Sequence, residues 1–281
     1  MAAPRPADGT LAQWASEAAA GDRAALERLL RAIQSRLYGL ALRMLWHPQD
    51  AEDATQEILI RILTRLGTFR GESGFLTWAH RVGVNVLLNM RQGRMEAAGL
   101  TFEAFADDLD SGLSDQPVPG ETAAERALLV EEVKIGCTTA MLLCLDRPHR
   151  LAYIVGEILD FDHAEAAEIL EVTAAAFRKR LSRARAEVIA FTRRKCGLVE
   201  PANPCRCRRR VSAAMAQGRV HPGKLLHASD ADAALAFPTV LAQIRDLDAL
   251  QRTVALYRSH PEPRTSDFAV DMRRLLDQTT A

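Results

Sequence analysis

Trp78, Arg81, Asn85 and Asn89 follow one another at three- and four-residue steps, so on a helix opening near Phe75 they form one row. An indole can stack on an unpaired base for ~1–3 kcal/mol, a guanidinium can meet phosphate, and amides can read base edges. The competing use of Trp78 is scaffold, since its apolar body packs well in a core. The two asparagines are poor helix formers and weigh toward a polar task. A second set is made of thiols: Cys196, Cys205 and Cys207 fall within CGLVEPANPCRC, ahead of Arg208, Arg209 and Arg210. They could ligate zinc or copper(I), with His221 or His227 as a fourth donor. They could also form a redox switch, because nearby Arg and Lys lower a thiol pKa. The spacing matches no common four-ligand zinc pattern, so a turn with packed thiols is the competing reading. A third set is basic: Arg178, Lys179, Ser182, Arg183 and Arg185 share the exposed side of a helix and suit phosphates and major-groove edges.

These residues need helices to hold them. Ala54, Ile58, Leu59, Ile62, Leu63 and Leu66 recur at helical steps, with Asp50 as a cap and Asp53, Gln56 and Glu57 left exposed. Gly67 ends that run, and Thr68 to Gly74 reads as a polar loop containing two glycines that can take positive φ. The row of Trp78 then sits on a helix whose core face is Leu76, Ala79, Val82, Gly83, Val86, Leu87 and Met90. Further on, a helix from His163 to about Leu170, a turn at Glu171-Val172-Thr173 and a second helix capped by Thr173 have helix-turn-helix spacing. The second of these buries Phe177, Leu181, Ala184 and Val188.

Aromatic residues make up only 5% of the 281 residues and β-branched alternation is scarce, so the expected class is all-α. The formal net charge is zero, but the charges are segregated: five acidic and no basic residues between Thr101 and Gly120, against eight basic and one acidic from Arg178 to Lys195. Five cysteines, an odd number, fit a reducing cytoplasm better than a disulfide framework. No signal peptide and no membrane-length apolar run is found, which points to a cytoplasmic protein without a membrane partner. No Gly-rich phosphate loop, nucleophile elbow or paired metal-ligand motif suggests an enzyme, and no cofactor is required.

The expected order is an N-terminal segment (1–19), a helical domain (20–95), an acidic linker with little fixed structure (96–120), a second helical domain with the helix-turn-helix (121–195) and a small helical extension (196–281). The first ten residues, Pro- and Ala-rich, are expected to be disordered. Helical patterns in the extension cover Ala231 to Leu235, Pro238 to Tyr257 and Ser266 to Gln278, with Leu241, Ile244, Leu247, Leu250 and Val254 expected to pack against Phe268, Met272 and Leu275 or against the two preceding helical domains.

DAED and QE, FRGES, Phe75, Thr77-Trp78, Arg81 and Asn85, an acidic linker, and a helix-turn-helix ending in RKRLSRAR together resemble a bacterial RNA polymerase sigma factor of the extracytoplasmic-function (ECF) branch. Residues about 20–95 resemble that family's second domain and about 121–195 its fourth. The resemblance implies core polymerase and promoter DNA as partners, with an anti-sigma factor as a further one. It assigns Asp50, Asp53, Gln56 and Glu57 to docking on core polymerase. Arg70, Ser73, Phe75, Trp78, Arg81, Asn85 and Asn89 would capture the non-template strand of the minus-ten element. Arg178, Lys179, Ser182 and Arg183 would read the minus-thirty-five element as duplex. Gly74 before Phe75 departs from the family's loop and implies a looser base pocket. Ala175-Ala176-Phe177 stands where Gly-Thr-Val is common. The extension would regulate the sigma unit in cis. The alternatives are a stand-alone helix-turn-helix regulator and a metal- or thiol-responsive DNA-binding sensor.

Overall fold

The computed structural model describes residues 6–92, 94–116, 118, 120–243, 247–261, 266–270 and 272. The described residues are helical, without a β-strand; an isolated bridge pairs Cys196 with Cys205. The chain divides into two compact units, Met1–Gln92 with Phe161–Phe177 and Arg264–Ala281, and Gly93–Asp160 with Arg178–Pro263. No helix among the described residues is long and apolar enough to cross a membrane.

The first unit is built on α1 (Asp8–Ala19), α2 (Arg23–Leu45), α3 (Pro48–Arg65), α4 (Phe75–Asn89) and α9 (His163–Ile169). Asp22 caps α2 by accepting from the amides of Ala24 and Ala25. α3 opens at Pro48, whose missing N–H costs nothing in a first turn. Asp50 therefore stands inside that turn, where its charge suits the helix dipole, and is not the cap expected from the sequence. The predicted stripes meet: Leu29, Leu30, Ile33 and Leu37 of α2 pack with Ile58, Leu59 and Ile62 of α3 and Leu87 of α4 in a fully buried core. α1 is part of this unit and buries Leu11 and Ala15. Near the C-terminus Phe268, Ala269 and Met272 are buried as well, Asp267 pairs with Arg31 of α2, and Ser266 bonds Glu52 of α3.

The second unit holds α5 (Arg94–Ala97), α6 (Phe102–Asp110), α7 (Ala123–Leu143), α8 (Arg147–Tyr153, followed by a π-helical turn at Ile154–Ile158), α11 (Cys207–Ala216), α12 (Ala231–Gln243) and α13 (Ala249–Arg258). α10 (Ala174–Lys195) starts in the first unit and continues into the second. Thr122 and Glu125 close a capping box at the start of α7.

Three expectations change here. The acidic stretch is not a structureless linker: α6 buries Phe105, Ala106 and Leu109, and Phe105 stacks on Phe191 of α10 with ring centroids 5.5 Å apart. Three of its carboxylates are paired. Asp108 pairs with Arg210 and Arg219, Asp110 with Lys195, and Asp115 with Arg209. α11 was not expected, because Arg208, Arg209 and Arg210 interrupt its apolar period; yet Arg210 is buried between Asp108 and the Ser111 carbonyl. Pro238 lies inside α12 and does not open a helix. The first five residues, Ile244, Leu275 and most of the expected C-terminal helix lie outside the described residues.

Candidate nucleic-acid interface

The loop before α4 is set by one long-range bond pair. Asp8, at the start of α1, accepts from the amides of Phe75 and Leu76 at 2.9 Å each, satisfying two of the donors that a helix N-terminus leaves open. Gly74 makes room for it: a Cβ there would stand 2.7 Å from the Asp8 carboxylate. The expectation that Gly74 loosens the loop is thus corrected; it lets a second element tie the loop down. Gly71, by contrast, is used for its positive φ of 70°. Arg70 is exposed and Ser73 half-buried on this loop.

Phe75 and Trp78 are not presented to solvent. Phe75 is 0% and Trp78 6% exposed, and with Phe69 they form an aromatic cluster with centroids 5.2–5.6 Å apart. The expected open indole platform is corrected on this point, and the cluster anchors the loop to α4. The rest of the row lies along the edge of α4 but is engaged. Arg81 Nη1 donates to Glu168 at 3.0 Å, Asn85 Nδ2 to Glu171 at 2.9 Å, and Asn89 Nδ2 to the Asn85 carbonyl at 2.7 Å.

Asn85 and Asn89 also line a groove of about 230 Å³ with Glu57, Arg61 and Arg65 of α3. Arg61 and Arg65 are exposed cations that sequence reasoning missed, although their four-residue spacing places them on one side of α3. Glu57, expected on the polymerase side, pairs with Arg61 at 2.7 Å in this groove. Asp53 and Gln56 are exposed and Asp50 is half-buried, leaving an acidic and amide surface on α3. The groove thus offers cations and amides, the groups that hold phosphate oxygens and base edges.

The helix-turn-helix is formed as expected. Asp162 and Glu165 make a capping box on α9, Glu171 takes a positive φ of 51° in the turn, and Thr173 Oγ1 accepts from the Ala176 amide to cap α10. Phe177, Leu181, Ala184 and Val188 are buried, whereas Arg178, Lys179, Ser182 and Arg183 are exposed. Arg185 turns inward to pair with Glu157.

Cys196, Cys205 and Cys207 come together in the second unit, and the thiol that joins them is Cys137 of α7, within electrostatic reach of all three. The Gly197 amide donates to the Cys205 carbonyl at 3.0 Å beside the bridge. Burial pushes all four thiols up, Cys205 to about 11, and outweighs the pull of Arg206 and Arg210 on Cys205. The lowered thiol pKa expected from the nearby arginines is therefore corrected: desolvation wins. Among the described residues no group of three or more His, Cys, Asp or Glu side chains is arranged to hold an ion.

The Sigma-70 region 2 family matches residues 29–95, the span that contains the α3 and α4 surfaces. The RNA polymerase sigma-H factor of Pseudomonas aeruginosa is 28% identical over 167 residues, covering 59% of this chain and 84% of that protein. The ECF RNA polymerase sigma factor SigE of Mycolicibacterium smegmatis is 30% identical over 181 residues, covering 60% of this chain and 63% of that protein. Among solved structures, CnrH in complex with the cytosolic domain of CnrY matches with a TM-score of 0.46 at 22% identity, over 65% of this chain and 96% of that one. Residues 29–95 thus match Sigma-70 region 2, and over about three fifths of its length the chain is similar to RNA polymerase sigma factors, one of them of the ECF type.

Proposed function

We propose that the chain binds core RNA polymerase in the cytoplasm, directs it to promoters and assists strand opening. What supports this reading is that one chain bears two different surfaces rich in cations and hydrogen-bonding side chains. The α3–α4 groove, with Arg61, Arg65, Asn85 and Asn89, suits single-stranded DNA, and Arg81, Arg70 and Ser73 would add to its hold. The exposed row Arg178, Lys179, Ser182 and Arg183 on α10 suits a duplex major groove. Asp50, Asp53 and Gln56 of α3 are left for polymerase, with Phe75 and Trp78 holding the loop in shape. Opening draws on binding energy, a few kcal/mol for each unstacked base, and involves no covalent step.

The extension is proposed to control this activity in cis, beside or in place of a separate anti-sigma partner. Its support is the burial of Phe268 and Met272 in the first unit, with Ser266 bonded to Glu52 between Asp50 and Asp53. Control is assigned to docking of the extension. A zinc- or copper(I)-responsive form of that control would require the purified protein to bind the ion and to lose it on Cys196→Ser with Cys205→Ser.

The test is run-off transcription with purified core polymerase and a promoter library, using the full chain and a chain lacking residues 196–281. Promoter-specific transcripts that change with the truncation support both parts. Duplex binding without polymerase association would favour a stand-alone helix-turn-helix regulator.

A further inference from the structure

α4 is covered on more sides than a simple amphipathic helix requires. Besides α2 and α3, α1 and α9 pack on it, and its Thr77, His80 and Val84 are buried. Phe161, two residues before α9, stands edge-on to His80 with centroids 4.9 Å apart. A helix apolar on more than one side needs more than one partner, and α9 is one of them. The polar margin of this contact is the candidate DNA edge itself. Glu168, near the end of α9, takes Arg81 at 3.0 Å, and Glu171, in the turn after it, takes Asn85 at 2.9 Å. A carboxylate accepts from a guanidinium or an amide much as a phosphate oxygen or a base-edge acceptor does.

We infer that α9 and its turn are a built-in competitor for α4, with Glu168 and Glu171 occupying on Arg81 and Asn85 the places that single-stranded DNA takes. The inference rests on the DNA-binding role proposed above for α4. It makes the first unit closed as built, and opening requires α9 to leave α4. Arg81 and Glu168 are 31% and 38% exposed, so their pair is a weak one, as a reversible latch needs. Release would free the α4 edge and the first helix of the helix-turn-helix in one step.

The experiment measures fluorescence anisotropy of a labelled, random-sequence single-stranded DNA about one helical turn long, titrated with the full chain. Variants are Glu168→Gln, Glu171→Gln, their double, the double with Arg81→Ala, and Glu187→Gln as a control for removing one exposed charge from α10. The expected result is a gain of roughly fivefold or more for the double variant, less for either single, none for Glu187→Gln, and loss of the gain with Arg81→Ala. Hydrogen exchange on the double variant should quicken over 163–171 and stay unchanged in α2 and α3. Equal affinity of wild type and the double variant, with binding still dependent on Arg81, overturns the latch and leaves the DNA role standing. Exchange that quickens throughout the unit assigns any gain to unfolding and overturns the latch as well. Arg81-independent binding in every variant removes the DNA role and the latch with it.

Discussion

Arg81 is a residue whose partner no local pattern reveals. Its position in a polar row was legible from spacing, but Glu168 lies 87 residues away and only the packing of α9 brings it in. The same holds for Asp8, 67 residues from the amide it caps, so Gly74 looked like slack in the loop when it is clearance for a bond. Gly74→Ala should displace the Asp8 carboxylate and cost about 1 kcal/mol, the usual worth of a lost cap. Urea unfolding reads it, and an unchanged midpoint would mean that Asp8 contributes nothing. His80 gives a pH signature. Burial, aided by the charge of Arg36 and opposed by its bond to the Leu76 carbonyl, lowers its pKa to about 4 from an ordinary 6.5. Because the folded value is the lower one, the unfolded chain takes up the proton first as pH falls. The stabilisation is thus complete above about pH 6.5 and lost progressively toward pH 4, by up to roughly 3 kcal/mol. Urea midpoints at pH 7.5 and 5 should differ, and His80→Gln should flatten that difference.

At the scale of elements, helices with a clean apolar period were readable and those stabilised from a distance were not. α2, α3 and the helix-turn-helix follow their Leu, Ile and Ala stripes. α6 looked like a linker because Asp107, Asp108 and Asp110 dominate its composition, while its burial depends on Phe105 meeting Phe191 of α10. α11 was hidden behind three arginines, one of which, Arg210, is satisfied by Asp108 and the carbonyls of Leu109 and Ser111, about a hundred residues away. The extension is held to α7 by Glu132, whose carboxylate accepts from the amides of Leu226, His227 and Ala228 at 2.7–2.8 Å. Glu132→Ala strands three donors and should cost about 2–4 kcal/mol. Limited proteolysis near residues 218–230 is expected to quicken while α2 to α4 stay resistant, and equal cleavage in wild type and variant would mean that Glu132 does not hold the segment. Gly197→Ala, whose Cβ would collide with the Arg206 guanidinium and the Cys205 carbonyl oxygen, should break the bridge at the thiols. Its cost, about 2 kcal/mol, falls among the larger single-substitution effects, and a thermal midpoint equal to wild type would contradict it.

For the whole molecule, a formal net charge of zero conceals stretches of opposite sign. Acidic and amide residues of α3 are proposed to face polymerase, and the cations of α3, α4 and α10 to face DNA. The two-surface character was legible in the sequence because segregated charge and helical period survive without tertiary information. The engaged state of α4 was not, since it depends on which helix covers which. The most direct test is permanganate reactivity of promoter thymines near the minus-ten position, with core polymerase and either the full chain or its Arg81→Ala variant. The account predicts reactive, single-stranded thymines with the full chain and a loss of at least tenfold in that signal for the variant, while both still associate with polymerase. Polymerase association without any reactive thymine, or equal reactivity in the two proteins, would contradict it.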